Sequence, residues 1–181
     1  MIVVVTGGRD YNDQAAIFGA LSTLHAQHPI TELIEGEASG VDSICREWAE
    51  LHAIPVRRCP ADWGNLDVPG AVIKQGKHGA YNAVAGHQRN QSMLDGEPRP
   101  TYGVVFPGGR GTADMHRRML KTGLTVWVPL WSLLVATGDQ PIVEGNQWGD
   151  TFWGVCRGKG ENHLGKMIMA IRAGQQHYET V

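Results

Sequence analysis

Three times in its first 112 residues this chain runs an apolar segment straight into glycine and then into the start of a helix. The first instance is Ile2-Val3-Val4-Val5-Thr6 followed by Gly7-Gly8-Arg9-Asp10. The second is Leu33-Ile34-Glu35-Gly36-Glu37-Ala38-Ser39-Gly40-Val41-Asp42. The third runs from Tyr102 to Phe106 and continues as Pro107-Gly108-Gly109-Arg110-Gly111-Thr112. An apolar run without polar alternation reads as a strand buried on both faces, as in a parallel sheet covered by helices. Such sheets bind ligands outside the carboxyl ends of their strands, where the strand order reverses. Glycine lets backbone N–H groups come close to a ligand, and a helix N-terminus adds partial positive charge. Each corner therefore suits a phosphate or another anion. Thr112 is expected to cap the helix after the third corner, and the three corners are expected to converge on one crevice.

The first 130 residues alternate strand and helix. A helix is expected from Asn12 or Asp13 to about Gln27, with Ala16, Ile17, Ala20, Leu21 and Leu24 on one face. A strand over residues 31–35 precedes a helix from Val41 to about Ala53, whose stripe is Val41, Ile44, Trp48 and Leu51. A short strand from Pro55 to Cys59, a helix from Ala85 to Leu94, a helix ending near Thr122 and a strand over 124–128 complete the set. Two short runs flanking Gly76 to Gly79 read as a hairpin inserted within about 64–84. Past residue 130 the composition turns to Gly, Trp and Asn, then to a helical pattern with Leu164, Ile168 and Ile171 on one face. The fold class expected is α/β: a Rossmann-like doubly wound parallel sheet over 1–130, with a small α+β extension over 131–181.

A chain of 181 residues supports one good core. Its formal charge of −2 and the lack of a Lys/Arg-rich stripe speak against a duplex nucleic-acid binder, which needs several cations for phosphates. Cys45, Cys59 and Cys156 are scattered, and no signal-like segment precedes Thr6, so a reducing, cytoplasmic setting is expected. The apolar stretch over 126–136 is broken by Pro129 and Ser132 and is too short for a bilayer span. The histidines show no HxH or HxxxH spacing, and neither metal nor cofactor is expected.

Among single residues, Arg9 at the first corner suits bidentate pairing with phosphate, or a salt bridge to Asp10 or Asp42. Arg89, at the start of a helix where a cation is unfavourable, wants an anionic partner, with Asn90 beside it. Arg110 points either at the ligand or at solvent. Glu35 and Asp42 suit ribose hydroxyls, and Asp42 equally suits its helix N-terminus. Ser39 is a cap or a ligand contact; Trp63 stacks on a base or packs in the core. His87 and His116 fall near the expected crevice. In the tail, Trp148, Asp150, Asn162 and Arg172 make a polar and aromatic set whose simpler role is to hold the fold.

Val5 to Tyr11, Glu35 to Asp42 and Phe106 to Thr112, with Ala61-Asp62-Trp63 and Ala85 to Met93, resemble the YpsA-related SLOG family. This Rossmann-like group also contains the lonely-guy phosphoribohydrolases and DprA-type domains. The resemblance covers about residues 1–128. It implies a pocket for nucleotides or nucleotide-derived molecules, lined by Gly7, Gly8, Arg9, Glu35, Gly36, Ser39, Gly40, Asp42, Arg89, Asn90 and Pro107 to Thr112. It also implies dimers or larger assemblies, for which the helix carrying Met115 and Met119 would offer a face. One departure matters. The lonely-guy enzymes place a Glu at the third position after the Gly-Thr pair, where this chain has Met115, and a thioether can neither accept a proton nor stabilise an oxocarbenium ion. Asp114 is one residue early, about 100° round the helix. The reading is therefore a binder of an ADP-ribose or cyclic ADP-ribose type signal, sensing or sequestering it. An N-glycosidase using Asp114 or Asp150 is the alternative, and a DNA-processing accessory the third class. Asn146 to Gly154 and Gly160 to Arg172 also resemble the C-terminal end of NADAR domains, which act on ADP-ribose derivatives.

Overall fold

The computed structural model of the chain describes residues 1–77, 79–129, 134 and 137–175. They fall into two units, Met1–Pro129 and Leu130–Val181. The first unit contains β1 (Ile2–Thr6), α1 (Gln14–Gln27), β2 (Glu32–Glu35), α2 (Val41–Leu51), β3 (Val56–Arg58), β4 (Ile73–Gly76), β5 (Gly79–Asn82), α3 (Ala85–Asp95), β6 (Tyr102–Val105), α4 (Arg110–Lys121) and β7 (Thr125–Trp127).

Five strands form one all-parallel sheet in the order β3-β2-β1-β6-β7. The period of two along a strand decides which helices each residue meets. Val3 and Val5 of β1 join Ile17, Leu21, Val41 and Trp48, the buried faces of α1 and α2. Val4 points the other way and joins Met93, Leu94, Met115 and Met119 of α3 and α4. Each fully buried aliphatic side chain contributes about 1.5–3 kcal/mol, so a sheet packed on both faces is the main stabilising element. This is the doubly wound arrangement that the unbroken apolar strands require. The chain leaves β1 to build β2 and β3 on one side, then crosses to build β6 and β7 on the other. The strand order therefore reverses between β1 and β6.

The helices follow their apolar periodicity with two corrections. Asp13 caps α1, its Oδ1 accepting from the Ala16 amide at 3.0 Å. In α2 the buried stripe is Val41, Cys45, Trp48 and Ala49, whereas Leu51 is 70% exposed. Leu51 occupies the last helical position at the edge of that stripe, where no neighbouring element covers it. Met115 and Met119 are fully buried against the sheet, so they are core and present no face to a second copy. β4 and β5 pair antiparallel, from Ile73 opposite Asn82 to Gly76 opposite Gly79. The buried Asn82 ties this hairpin to α3. Its Oδ1 accepts from the amides of Val72 and Val84, and its Nδ2 donates to Gln88 Oε1 at 2.7 Å.

In the second unit β8 (Gly145–Asn146) and β9 (Val155–Cys156) pair parallel, and α5 (His163–Gln175) follows. Three of the polar tail residues hold turns. Asn162 bonds the Glu144 amide and the Ile142 carbonyl, Asp150 Oδ1 accepts from the amides of Phe152 and Trp153, and the buried Arg172 donates to Thr137 and to the Gln140 carbonyl. Trp148 is exposed. Leu164 and Ile171 are exposed too, because the packed face of α5 runs one residue later, through the buried Gly165 and Arg172. Gly165 lies so close to the Ile142 carbonyl and the Asn162 side chain that only a residue without Cβ fits. Among the described residues no helix is long and apolar enough to cross a membrane.

Candidate ligand cleft

The three glycine corners do meet, and Gly8 joins them. Its amide donates to the Pro107 carbonyl at 2.7 Å, and its own carbonyl accepts from the Val41 amide at 3.2 Å. Gly40 has φ +73°, and a Cβ there would run into the backbone of Gly8 and Arg9. A Cβ on Gly108 would strike the Thr112 hydroxyl and the Gly8 nitrogen. Glycine is thus needed at both places for close approach of one corner to the next.

Where the corners meet, at the reversal point between β1 and β6, a cleft of about 630 Å³ opens. Of the residues expected around a ligand, Gly7, Gly8, Arg9, Asp42, Arg89, Asn90, Pro107, Gly108, Gly109, Gly111 and Thr112 line it. Helix α4 begins after Gly109 with no side-chain cap, since Thr112 already lies inside the helix, contrary to the role expected of it. The first-turn amides of Arg110, Gly111 and Thr112 have no partner among the described residues. Such free amides, with the partial positive charge of the helix end, are an anion site. Arg9 stands on the same wall with no hydrogen bond or ion pair to Asp10, Asp42 or any other described residue. Its charge is uncompensated.

Five expected residues lie elsewhere. Glu35 is fully buried behind the second corner. Its Oε1 meets Arg46 at 3.2 Å and Arg58 at 3.9 Å, and its Oε2 accepts from the Glu37 amide at 2.5 Å. Burial and the Asp42 charge push its carboxyl above the ordinary range, against the pull of Arg46 and Arg58. It shapes the corner and cannot reach a ribose in the cleft. Gly36 is buried with its carbonyl accepting from Arg89, and Gly40 is buried as the hinge of the corner. Ser39 and Arg110 are exposed and lie outside the cleft wall.

Two lining residues are partly committed to the protein itself. Arg89 Nη1 donates to the carbonyls of Gly36 and Cys59 and lies 3.9 Å from Asp42 Oδ2. Asp42 in turn accepts from the amides of Gly36 and Ala38 at 3.2 Å each. Burial raises its carboxyl, while those amides and the Arg89 charge pull it back. The Arg89 charge is therefore shared with Asp42, although its buried Nε has no partner. Of the two arginines that line the cleft, Arg9 is the one without a partner among the described residues.

On the opposite side of the chemistry, His87 lines the cleft and its Nδ1 lies 3.0 Å from Asp114 Oδ2. Burial alone would raise the Asp114 carboxyl. Hydrogen bonds from Arg118, His87 and Asn90, with the Arg118 charge, outweigh it and hold the group well below the usual carboxylate range. His116 does not line the cleft. Sequence reasoning did not single out Thr6, Asp10, Tyr11, Ala38, Ala83 and Gly86, which also line it. Their signal was adjacency to the corners and to the start of α3. It gave no hint that the hairpin, through Asn82, would carry Ala83 to the cleft beside Trp63, for which stacking on a base was one of two expected roles.

A search of solved structures finds DNA processing protein A (DprA) from Streptococcus pneumoniae, at 15% identity and a TM-score of 0.49, covering 70% of this chain and 49% of that one. The chain thus spans about half the length of that protein. No curated protein matches the chain. Residues 1–65 match the family described as the YspA, cpYpsA-related SLOG family. This segment holds β1, both of the first two glycine corners and Trp63. Over this segment the chain is similar to the YpsA-related SLOG family.

Proposed function

We propose that the cleft binds a phosphorylated, nucleotide-derived small molecule, of ADP-ribose or cyclic ADP-ribose type, and that the protein senses or sequesters it. The observation that carries this reading is that one cleft is lined both by Gly111 and Thr112, whose amides are unpaired among the described residues, and by the uncompensated Arg9. A volume of about 630 Å³ suits a compound of that size, within the range of small-molecule sites. The family supports a nucleotide-related role. No carboxylate stands where a lonely-guy enzyme has its Glu, since Met115 there is buried in the core.

Isothermal titration calorimetry against ADP-ribose, cyclic ADP-ribose and other NAD-derived nucleotides tests the proposal. Binding by wild type is expected, weakened about 10- to 100-fold in Arg9→Ala, as for loss of a charge-assisted pair. Absence of binding by wild type, or unchanged affinity in Arg9→Ala, refutes it.

One observation favours a hydrolytic reading. His87, oriented by Asp114, presents an imidazole to the cleft in the way a general acid or base is held. Chromatography of the ligand after long incubation separates the two readings. Intact ligand supports a binder; free base with ADP-ribose or ribose phosphate supports an N-glycosidase.

A further inference from the structure

The anion-binding reading leaves one wall of the cleft unused. Trp63 lines the cleft with 41% of its surface exposed, although its backbone is fixed. Its amide donates to the Ala61 carbonyl at 3.1 Å, and its carbonyl accepts from the Asn82 amide at 2.9 Å. The indole edge lies over the start of α3, where a Cβ added to Gly86 would stand 3.4 Å from Cη2. The next residue is His87, its side chain 48% exposed. Because Nδ1 is engaged with Asp114, Nε2 is the ring atom left for a ligand. Asp114 is itself held by Asn90 at 3.1 Å and Arg118 at 2.8 Å, so the imidazole is braced.

A tryptophan with a fixed backbone, half open inside a concave site, leaves an apolar face that a planar ligand group can cover. Stacking recovers the burial that the protein's own packing does not supply, and it is tolerant of which base is stacked. We propose that Trp63 and His87 form a subsite for the heteroaromatic base of the ligand. Trp63 stacks on the ring and His87 Nε2 hydrogen-bonds its edge, while the glycine corners hold the phosphates. The ligand class is then a nucleotide that retains its base, as opposed to a bare sugar phosphate. This inference rests on the nucleotide reading above and adds the part of the molecule that sets specificity.

The test compares two probes, ADP-ribose and ribose 5-phosphate, titrated by NMR into wild type, Trp63→Ala and Trp63→Phe. Trp63→Ala is expected to weaken ADP-ribose about 5- to 150-fold while leaving ribose 5-phosphate within about twofold, the range for loss of one base–aromatic stack. Trp63→Phe is expected to recover most of the loss, which separates stacking from a folding defect. Equal losses for both probes, no loss for either, or wild type that binds ribose 5-phosphate but not ADP-ribose overturns the subsite and spares the anion site. Wild type that binds neither probe overturns both.

Discussion

Asp114 is the point where α3 and α4 are fastened beside the cleft, and Asp114→Asn isolates its charge. The carboxylate receives Arg118 Nε at 2.8 Å, Asn90 Nδ2 at 3.1 Å and His87 Nδ1 at 3.0 Å, with Arg117 at 3.7 Å. The isosteric amide keeps the shape but turns one acceptor into a donor facing other donors. Arg118 still has Gln91 Oε1 at 2.7 Å, and Asn90 still has the Gly111 carbonyl. Arg117 and His87 are solvated enough to rehydrate. Hydrogen bonds to a charged group are each worth about 1.5–3 kcal/mol, and the remaining partners absorb part of that, so the expected loss at pH 7 is about 2 kcal/mol. The pH dependence follows from the depressed carboxyl. A group whose folded pKa lies below its unfolded value stabilises the fold fully above the unfolded value, about 3.9, and loses that contribution as pH falls towards the folded value. Urea denaturation of both proteins at pH 7, 5 and 3 should therefore show a gap at pH 7 and 5 that narrows at pH 3. A gap under about 0.5 kcal/mol at pH 7, or one unchanged at pH 3, would refute the claim that ionised Asp114 holds these helices together.

Gly40→Ala forces a side chain into a positive-φ position and against the Gly8 and Arg9 backbone; a loss of about 2–4 kcal/mol in urea melts is expected. A loss below 1 kcal/mol, by the same scale, would mean the corners are not tightly joined. Met115→Glu puts a carboxylate at the lonely-guy position but inside the core, so it should destabilise by more than about 3 kcal/mol, while Met115→Leu costs less than about 1.5 kcal/mol. A stable Met115→Glu protein would show that the position can open to the cleft. Trp48→Ala, which empties a fully buried site and removes the indole N–H that donates to the Ser22 hydroxyl at 2.9 Å, should cost about 3–5 kcal/mol. Leu51→Ala, on the exposed edge of the same helix, should stay within about 0.5 kcal/mol by thermal melting.

The strands of the parallel sheet and their helices were legible because the signals are local. An apolar run without alternation belongs between two layers of helix, and Val3, Val4 and Val5 are divided between two cores as that demands. The end of a helix was less legible. Leu51 satisfies the apolar spacing yet has no partner, and Thr112 has capping chemistry but sits beyond the cap. Both depend on what lies beyond the helix, which spacing does not encode.

The same division applies to the cleft. Residues 7–9, 107–109, 111 and 112 were identifiable from composition and order, since a glycine corner at a strand end exposes amides wherever the sheet places it, whereas Arg110 of the same corner lies outside the cleft wall. Which charges stay free was a matter of partners distant in sequence. Arg89 and Asp42, 47 positions apart, neutralise one another, and Glu35 is sealed behind Arg46 and Arg58, while Arg9 meets no counter-ion among the described residues. Likewise the hairpin joins Trp63 to the wall through the Asn82 amide, a bond across 19 residues. Hydrophobic periodicity and turn chemistry act between neighbours in the chain and so can be read along it. Compensation of charge and burial of a ring depend on distance in space, and only the folded arrangement of α2, α3 and the hairpin around the β1–β6 boundary determined them.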